Sequence, residues 1–153
     1  MGKVALWKWF RALVALGVVI QVVPYGHEHA NPPVRQEPAW DSPLSRGLAL
    51  RACYDCHSNQ TIWPWYAQFA PVSWLIQRDV DTGRQRLNFS EWDQPQRGAR
   101  PQSVDRRIQR GSMPPWYYVL MHSQAKLSDG EKQALMQGLD ATVAQSPPPP
   151  ARP

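Results

Sequence analysis

Apolar positions in this chain fall into two kinds of pattern. Near the start they run almost without a break: Ala12-Leu13-Val14-Ala15-Leu16-Gly17-Val18-Val19-Ile20, then Gln21, Val22 and Val23 before Pro24. Further on they recur at helical spacing between clear start and stop signals. Ser42-Pro43 reads as an N-cap followed by proline at the first helical position, with Leu44 and Leu48 on one face. Pro71 opens a second segment holding Val72, Trp74, Leu75 and Ile76, for which Gly83 is the predicted stop. A third begins at Ser103, carries Val104 and Ile108, and ends at Gly111. The fourth has the strongest start, because Ser128-Asp129-Gly130-Glu131 matches a capping box. Leu135, Leu139 and Val143 follow it at helical spacing. No pair of alternating strands joined by a hairpin turn stands out. The pattern therefore predicts an all-α fold with long, proline-rich connections.

Counted from Val4 to Val23, the first run is about 20 residues, long enough to span a bilayer if Lys8 and Arg11 snorkel. Trp7, Trp9 and Phe10 suit an interfacial belt. The alternative is a cleaved secretory signal, but Pro24, Tyr25, His27 and Glu28 occupy the place of a small-residue cleavage site. A retained anchor is the expectation. The basic residues on its short N-terminal side predict a cytoplasmic N-terminus and an exported remainder. The predicted organisation is an anchor over 1–23, a proline-rich linker over 24–41, one domain over 42–145 and a disordered proline-rich tail over 146–153.

Net charge is +5, and seven arginines lie between Arg84 and Arg110. Most are expected on a solvated face. Others suit an acidic redox partner, anionic lipid or anionic groups of a cofactor. Export makes nucleic acid an unexpected ligand.

The chain's two cysteines both fall in Cys53-Tyr54-Asp55-Cys56-His57. This C-x-x-C-H run is the attachment signal of a c-type haem. One helical turn would place both thiols and the imidazole on one face. The thiols could then add to two porphyrin vinyl groups, with His57 as an axial iron ligand. Three other chemistries use the same residues: a thioredoxin-like dithiol, a zinc site completed by His122, His27 or His29, and a disulfide. The first needs a βαβ pattern, which the chain lacks. His27 and His29 form an H-x-H pair that reads as solvated polar residues of the linker.

A six-coordinate iron needs a second ligand from Met113, Met121, Met136 or His122. Met113 is favoured, because Gly111 ends a helix before it and Pro114-Pro115 stiffen the loop after it. His122 is its rival. A thioether would raise the potential relative to a second imidazole. The sixteen aromatic residues, eight of them tryptophan, concentrate at Trp63-Pro64-Trp65-Tyr66 and Trp116-Tyr117-Tyr118. They are expected as core or as cofactor walls.

From Asn31 to Leu139 the chain resembles the bacterial haem-binding domain proteins of the cytochrome c superfamily. The resemblance rests on Asn31-Pro32-Pro33-Val34, Ala52-Cys53-Tyr54-Asp55-Cys56-His57-Ser58-Asn59, Trp63-Pro64-Trp65-Tyr66 and Ala70-Pro71-Val72-Ser73-Trp74. It continues through Leu87-Asn88-Phe89-Ser90-Glu91-Trp92, Met113-Pro114-Pro115-Trp116-Tyr117, and His122 with Leu127-Ser128. It implies a cytochrome c-like helical domain around one covalent haem. In that likeness Cys53 and Cys56 hold the thioether positions, His57 is the proximal ligand and Met113 the distal one. The sequence departs from the pattern at Gly98 and Pro101, where a longer helix before Met113 is expected.

The expected function is one-electron transfer by a membrane-tethered c-type cytochrome of a bacterial inner membrane, its haem domain in the periplasm. Turnover of a substrate is not expected, since no Ser-His-Asp set, phosphate loop or carboxylate pair is evident. A haem sensor with a labile distal ligand, or a non-haem zinc or dithiol module, are the alternatives.

Overall fold

A computed structural model describes residues 2–150, with no side-chain description of Pro101. Among the described residues the chain is all-helical, and the single backbone bridge, between Gln36 and Glu91, does not make a strand. The helices are α1 (Lys3–Val19), α2 (Pro43–Ala52), α3 (Tyr54–His57), α4 (Val72–Arg86), α5 (Pro101–Gln109), α6 (Trp116–Met121) and α7 (Asp129–Gln145). Short 3-10 turns cover Ile20–Val22, Trp65–Gln68 and Ser123–Ala125. Residues 151–153 of the proposed tail lie outside the described residues. The helices group into two units, one from 2–30 with 63–79, the other from 31–62 with 80–150.

In the first unit α1 and the turn after it make one helical run, long and apolar enough to cross a membrane. No residue of α1 is buried, so it is not a core helix. Its length and composition suit a membrane span and a signal sequence alike. Gln21, the polar residue near its end, donates from Nε2 to the carbonyl of Ala70 at 3.0 Å. Its Oε1 accepts from the Ala70 N–H at 2.9 Å. One amide side chain thus satisfies both polar groups of residue 70.

The second unit is built on the crossings of α2 and α5 with α7. Both caps read from the sequence are present: Ser42 Oγ accepts from the Ser45 N–H at 3.2 Å. Ser128 and Glu131 exchange the two bonds of a capping box at 3.3 and 2.8 Å. α2 can lie close to α7 because residue 138 has no side chain. A Cβ there would stand 1.8 Å from Ser45 Oγ. The core gathers Leu48, Ala52, Leu127, Leu135 and Leu139 with Tyr54, Phe89 and Trp92. Phe89 stacks between Tyr54 and Trp92, at ring distances of 5.5 and 6.1 Å, and Trp40 tilts against it at 5.2 Å.

Three sequence expectations need correction. α4 does not stop at Gly83 but runs on to Arg86, because the missing side chain serves a close contact rather than a helix end. α5 begins at Pro101, ahead of Ser103, with proline at a first-turn position where its missing N–H costs nothing. The aromatic core comes mainly from Trp40, Tyr54, Phe89 and Trp92, and Trp65 and Trp116, about three-quarters exposed, are not core residues.

Candidate functional site

The site grows from the end of α2. The Cys53 carbonyl accepts from the N–H groups of both Cys56, at 3.2 Å, and His57, at 2.9 Å. The five residues therefore close into one helical turn, as their spacing predicts. Cys53 and Cys56 are not joined in a disulfide, and both are half-buried.

The two residues between the cysteines have opposite duties. Tyr54 is only 2% exposed and is the plug of the aromatic stack. Burial raises its phenol well above the ordinary value, so it stays neutral. Asp55 faces the neighbouring loops. Its Oδ1 accepts from the Ile62 N–H at 3.0 Å and its Oδ2 from the Tyr118 hydroxyl at 2.7 Å. The second bond ties α6 to the cysteine turn. Burial first, and then the bond to Asp55, holds the Tyr118 proton firmly in place.

The second half of α4 forms the back of the turn. A Cβ on Gly83 would lie 2.1 Å from the Cys56 carbonyl oxygen. Only glycine permits this approach. One residue on, Arg84 donates to the Ser58 carbonyl at 2.8 Å, and to Thr61 Oγ1 and Asn31 Oδ1 at 2.9 Å each. This arginine pins the chain just after the motif. Beyond α4, the Asn88 amide donates to Asn59 Oδ1 at 2.8 Å, and Ser90 Oγ accepts from the Asn59 N–H at 3.0 Å.

His57 is oriented by the same wall. Its Nδ1 lies 3.0 Å from the Leu87 carbonyl oxygen. A carbonyl only accepts, so this contact puts the proton on Nδ1 and leaves Nε2 with its lone pair. A backbone acceptor behind one ring nitrogen is the usual support of a ligating imidazole. Burial lowers the His57 pKa, and the positive charges of Arg107 and Arg86 lower it further. Burial pushes the Cys53 thiol up to about 12. A neutral imidazole beside two free cysteines in one half-buried turn fits the binding of a porphyrin.

Met113 is held by α5. Gly111 takes φ +65°, and the Arg107 carbonyl accepts from the N–H groups of Ser112 at 3.0 Å and Met113 at 3.2 Å. Arg107 thereby links two predicted site residues: its carbonyl anchors Met113, and its charge reaches His57. His122 caps α6, with Nδ1 3.1 Å from the Tyr118 carbonyl and its ring stacked on Tyr118 at 4.2 Å. Met121 is largely exposed, and Met136 packs against the core of the second unit.

His29, in the first unit, is committed elsewhere. Its Nε2 donates to the Ala67 carbonyl and its Nδ1 accepts from the Gln68 amide, both at 3.0 Å, and it stacks on Trp63. With both nitrogens engaged, the H-x-H pair lacks a second ligand. Among the described residues no group of three or more His, Cys, Asp or Glu side chains is arranged to hold a metal ion.

Sequence reasoning missed the contacts that Leu87, Gly83, Asp55, Tyr118 and Arg84 make around the cysteine turn. The three-residue interval from Cys56 to Asn59 carried no hint of its partners thirty residues on. Residues 15–141 match the family described as Haem-binding domain. No curated protein and no solved structure matches the chain.

Proposed function

The chain belongs to the haem-binding domain family, and from that premise we propose that it is a membrane-tethered c-type cytochrome carrying one covalent haem for one-electron transfer. The observation that carries this reading is the cysteine turn itself. It sets two thiols beside an imidazole whose Nδ1 is already tied to a backbone carbonyl.

Cys53 and Cys56 would hold the porphyrin by thioether bonds, and His57 Nε2 would bind its iron. Met113 is the proposed distal ligand. Its backbone is fixed at the end of α5, and a fixed thioether loses little entropy on binding and is hard to displace. Bound there, the haem supplies a one-electron couple. The protein's part would be to orient the His57 imidazole through the Leu87 carbonyl and to hold the Met113 loop nearly still between oxidation states. Arg86 and Arg107, whose charges already bear on His57, suit the haem's carboxylates. No substrate turnover is proposed. α1 is read as a retained anchor with its N-terminus in the cytoplasm and the rest of the chain in the periplasm, where an acidic redox protein would complement the net charge of +5.

The test is an absorption spectrum of the purified protein, oxidised and reduced, after expression with the c-type maturation machinery. Low-spin iron in both states, a reversible couple and pigment that resists acid-acetone extraction are expected. Extractable pigment, or a mature chain without the porphyrin mass, would refute covalent attachment. Rapid, complete binding of carbon monoxide to the reduced protein would refute a firm distal ligand.

A further inference from the structure

The first unit carries an exposed apolar surface outside the cysteine turn. Trp65, Phe69, Val72 and Leu75 are 76, 55, 43 and 40% exposed. The last three recur every third residue, and the Trp65 and Phe69 rings meet edge to face at 6.1 Å. Arg78 continues the interval of three, and it lines a cavity of about 480 Å³ together with Val23, Tyr25, Trp74 and Leu75.

This surface has a fixed level relative to α1. Gln21 lies one residue before the end of the apolar run at Val22, and it binds both the N–H and the carbonyl of Ala70. A second contact secures the level. Gly26, with φ +86°, brings the chain so close to Ser73 that a Cβ would stand 2.8 Å from the Ser73 carbonyl carbon. Residues 70–73 are thus gripped by the last turn of the span and by the chain leaving it. A segment bonded to the end of a span sits where hydrocarbon gives way to headgroups.

We propose that residues 65–78 form an interfacial platform, with Trp65, Phe69, Val72 and Leu75 seated in the headgroup layer of the leaflet from which α1 emerges and Arg78 directed to lipid phosphate. The inference rests on the reading of α1 as a retained span. Its occupant is lipid, because the surface continues directly from the helix that enters the bilayer. Aromatic rings and a basic residue are the side chains that this layer favours. Such a platform adds a second hold on the membrane and limits rotation about α1.

The full-length, haem-loaded protein would be reconstituted in phosphatidylethanolamine–phosphatidylglycerol vesicles, with a nitroxide on one added cysteine at a time. The positions are Phe69→Cys and Leu75→Cys on the platform, Leu13→Cys within the span and Gln133→Cys on α7 as an aqueous reference. Protein without an added cysteine gives the background. Accessibility to oxygen relative to a water-soluble nickel chelate reports depth. The expected ratio at 69 and 75 is several-fold above that at 133 and below that at 13. If 13 is lipid-immersed while 69 and 75 match 133, the platform is overturned and the anchor stands. If 13 itself matches 133, the anchor reading fails and the platform with it. Protection of 69 and 75 from both reagents would mean that protein, such as a second copy, covers the surface, and would also overturn the inference.

Discussion

Replacing Gly83 by alanine sets two opposing effects against each other. In a helix interior alanine is favoured over glycine by roughly 1 kcal/mol. Here the new methyl would start 2.1 Å from the Cys56 carbonyl oxygen and 2.8 Å from its carbonyl carbon. Carbon contacts relax only near about 3.5 Å, so α4 and the cysteine turn must part by roughly 1 Å. The obstacle is backbone on both sides, so no rotamer change relieves it. Overpacking of this kind costs typically about 1–3 kcal/mol, with a rigid neighbour towards the upper end. The net expectation is a loss of about 1–2 kcal/mol, a fall in Tm of roughly 3–10 °C for a domain of this size. Gly47→Ala is the matched control: it makes the same change within α2, where a Cβ meets nothing within 4 Å. It should raise stability by roughly 0.5–1 kcal/mol. Thermal unfolding followed by far-ultraviolet circular dichroism reads both. If the two variants gain stability alike, the close approach of α4 to Cys56 is not real, and the account of the site's back wall falls with it.

Met113→Ala should leave the haem attached but turn the iron high-spin and open to carbon monoxide, whereas His122→Ala should leave the spectrum unchanged; the reverse result would move the distal role to His122. Tyr118→Phe removes the hydroxyl bonded to the Asp55 carboxylate and should destabilise the domain by about 1.5–3 kcal/mol, checked by denaturant unfolding. Ser128→Ala deletes the cap of α7 and should cost about 1 kcal/mol in the same assay. Glu131 is held down to about 2 from an ordinary 4.5, first by its bond to Arg51. The stability from this depressed pKa is present above pH 4.5 and lost as pH falls through about 2. Glu131→Gln should flatten that part of the acid-unfolding profile, and an unchanged slope would show that the pair does not couple to folding.

What the sequence disclosed was local. Ser42-Pro43 and Ser128 through Glu131 announced α2 and α7 because caps are made by residues three apart. The turn from Cys53 to His57 was legible for the same reason. Gly83 misled because glycine signals a helix end when only neighbours in sequence are weighed, and here its reason is Cys56, twenty-seven residues earlier. Phe89 and Trp92 belong to no helix and follow no period, so nothing nearby marked them as the centre of the core. The Leu87 carbonyl behind His57 is backbone, which any residue supplies, and so it left no trace in side-chain identity.

Tyr54 lies between the two cysteines and at one end of the aromatic stack at once. On the proposed attachment, an enzyme that modifies both thiols would have to grip a stretch of chain that, once folded, has the Tyr54 ring packed against Phe89. If the haem is attached covalently as proposed, the pentapeptide would have to be worked on while the polypeptide is still open, and closing the core afterwards would seal the product in place.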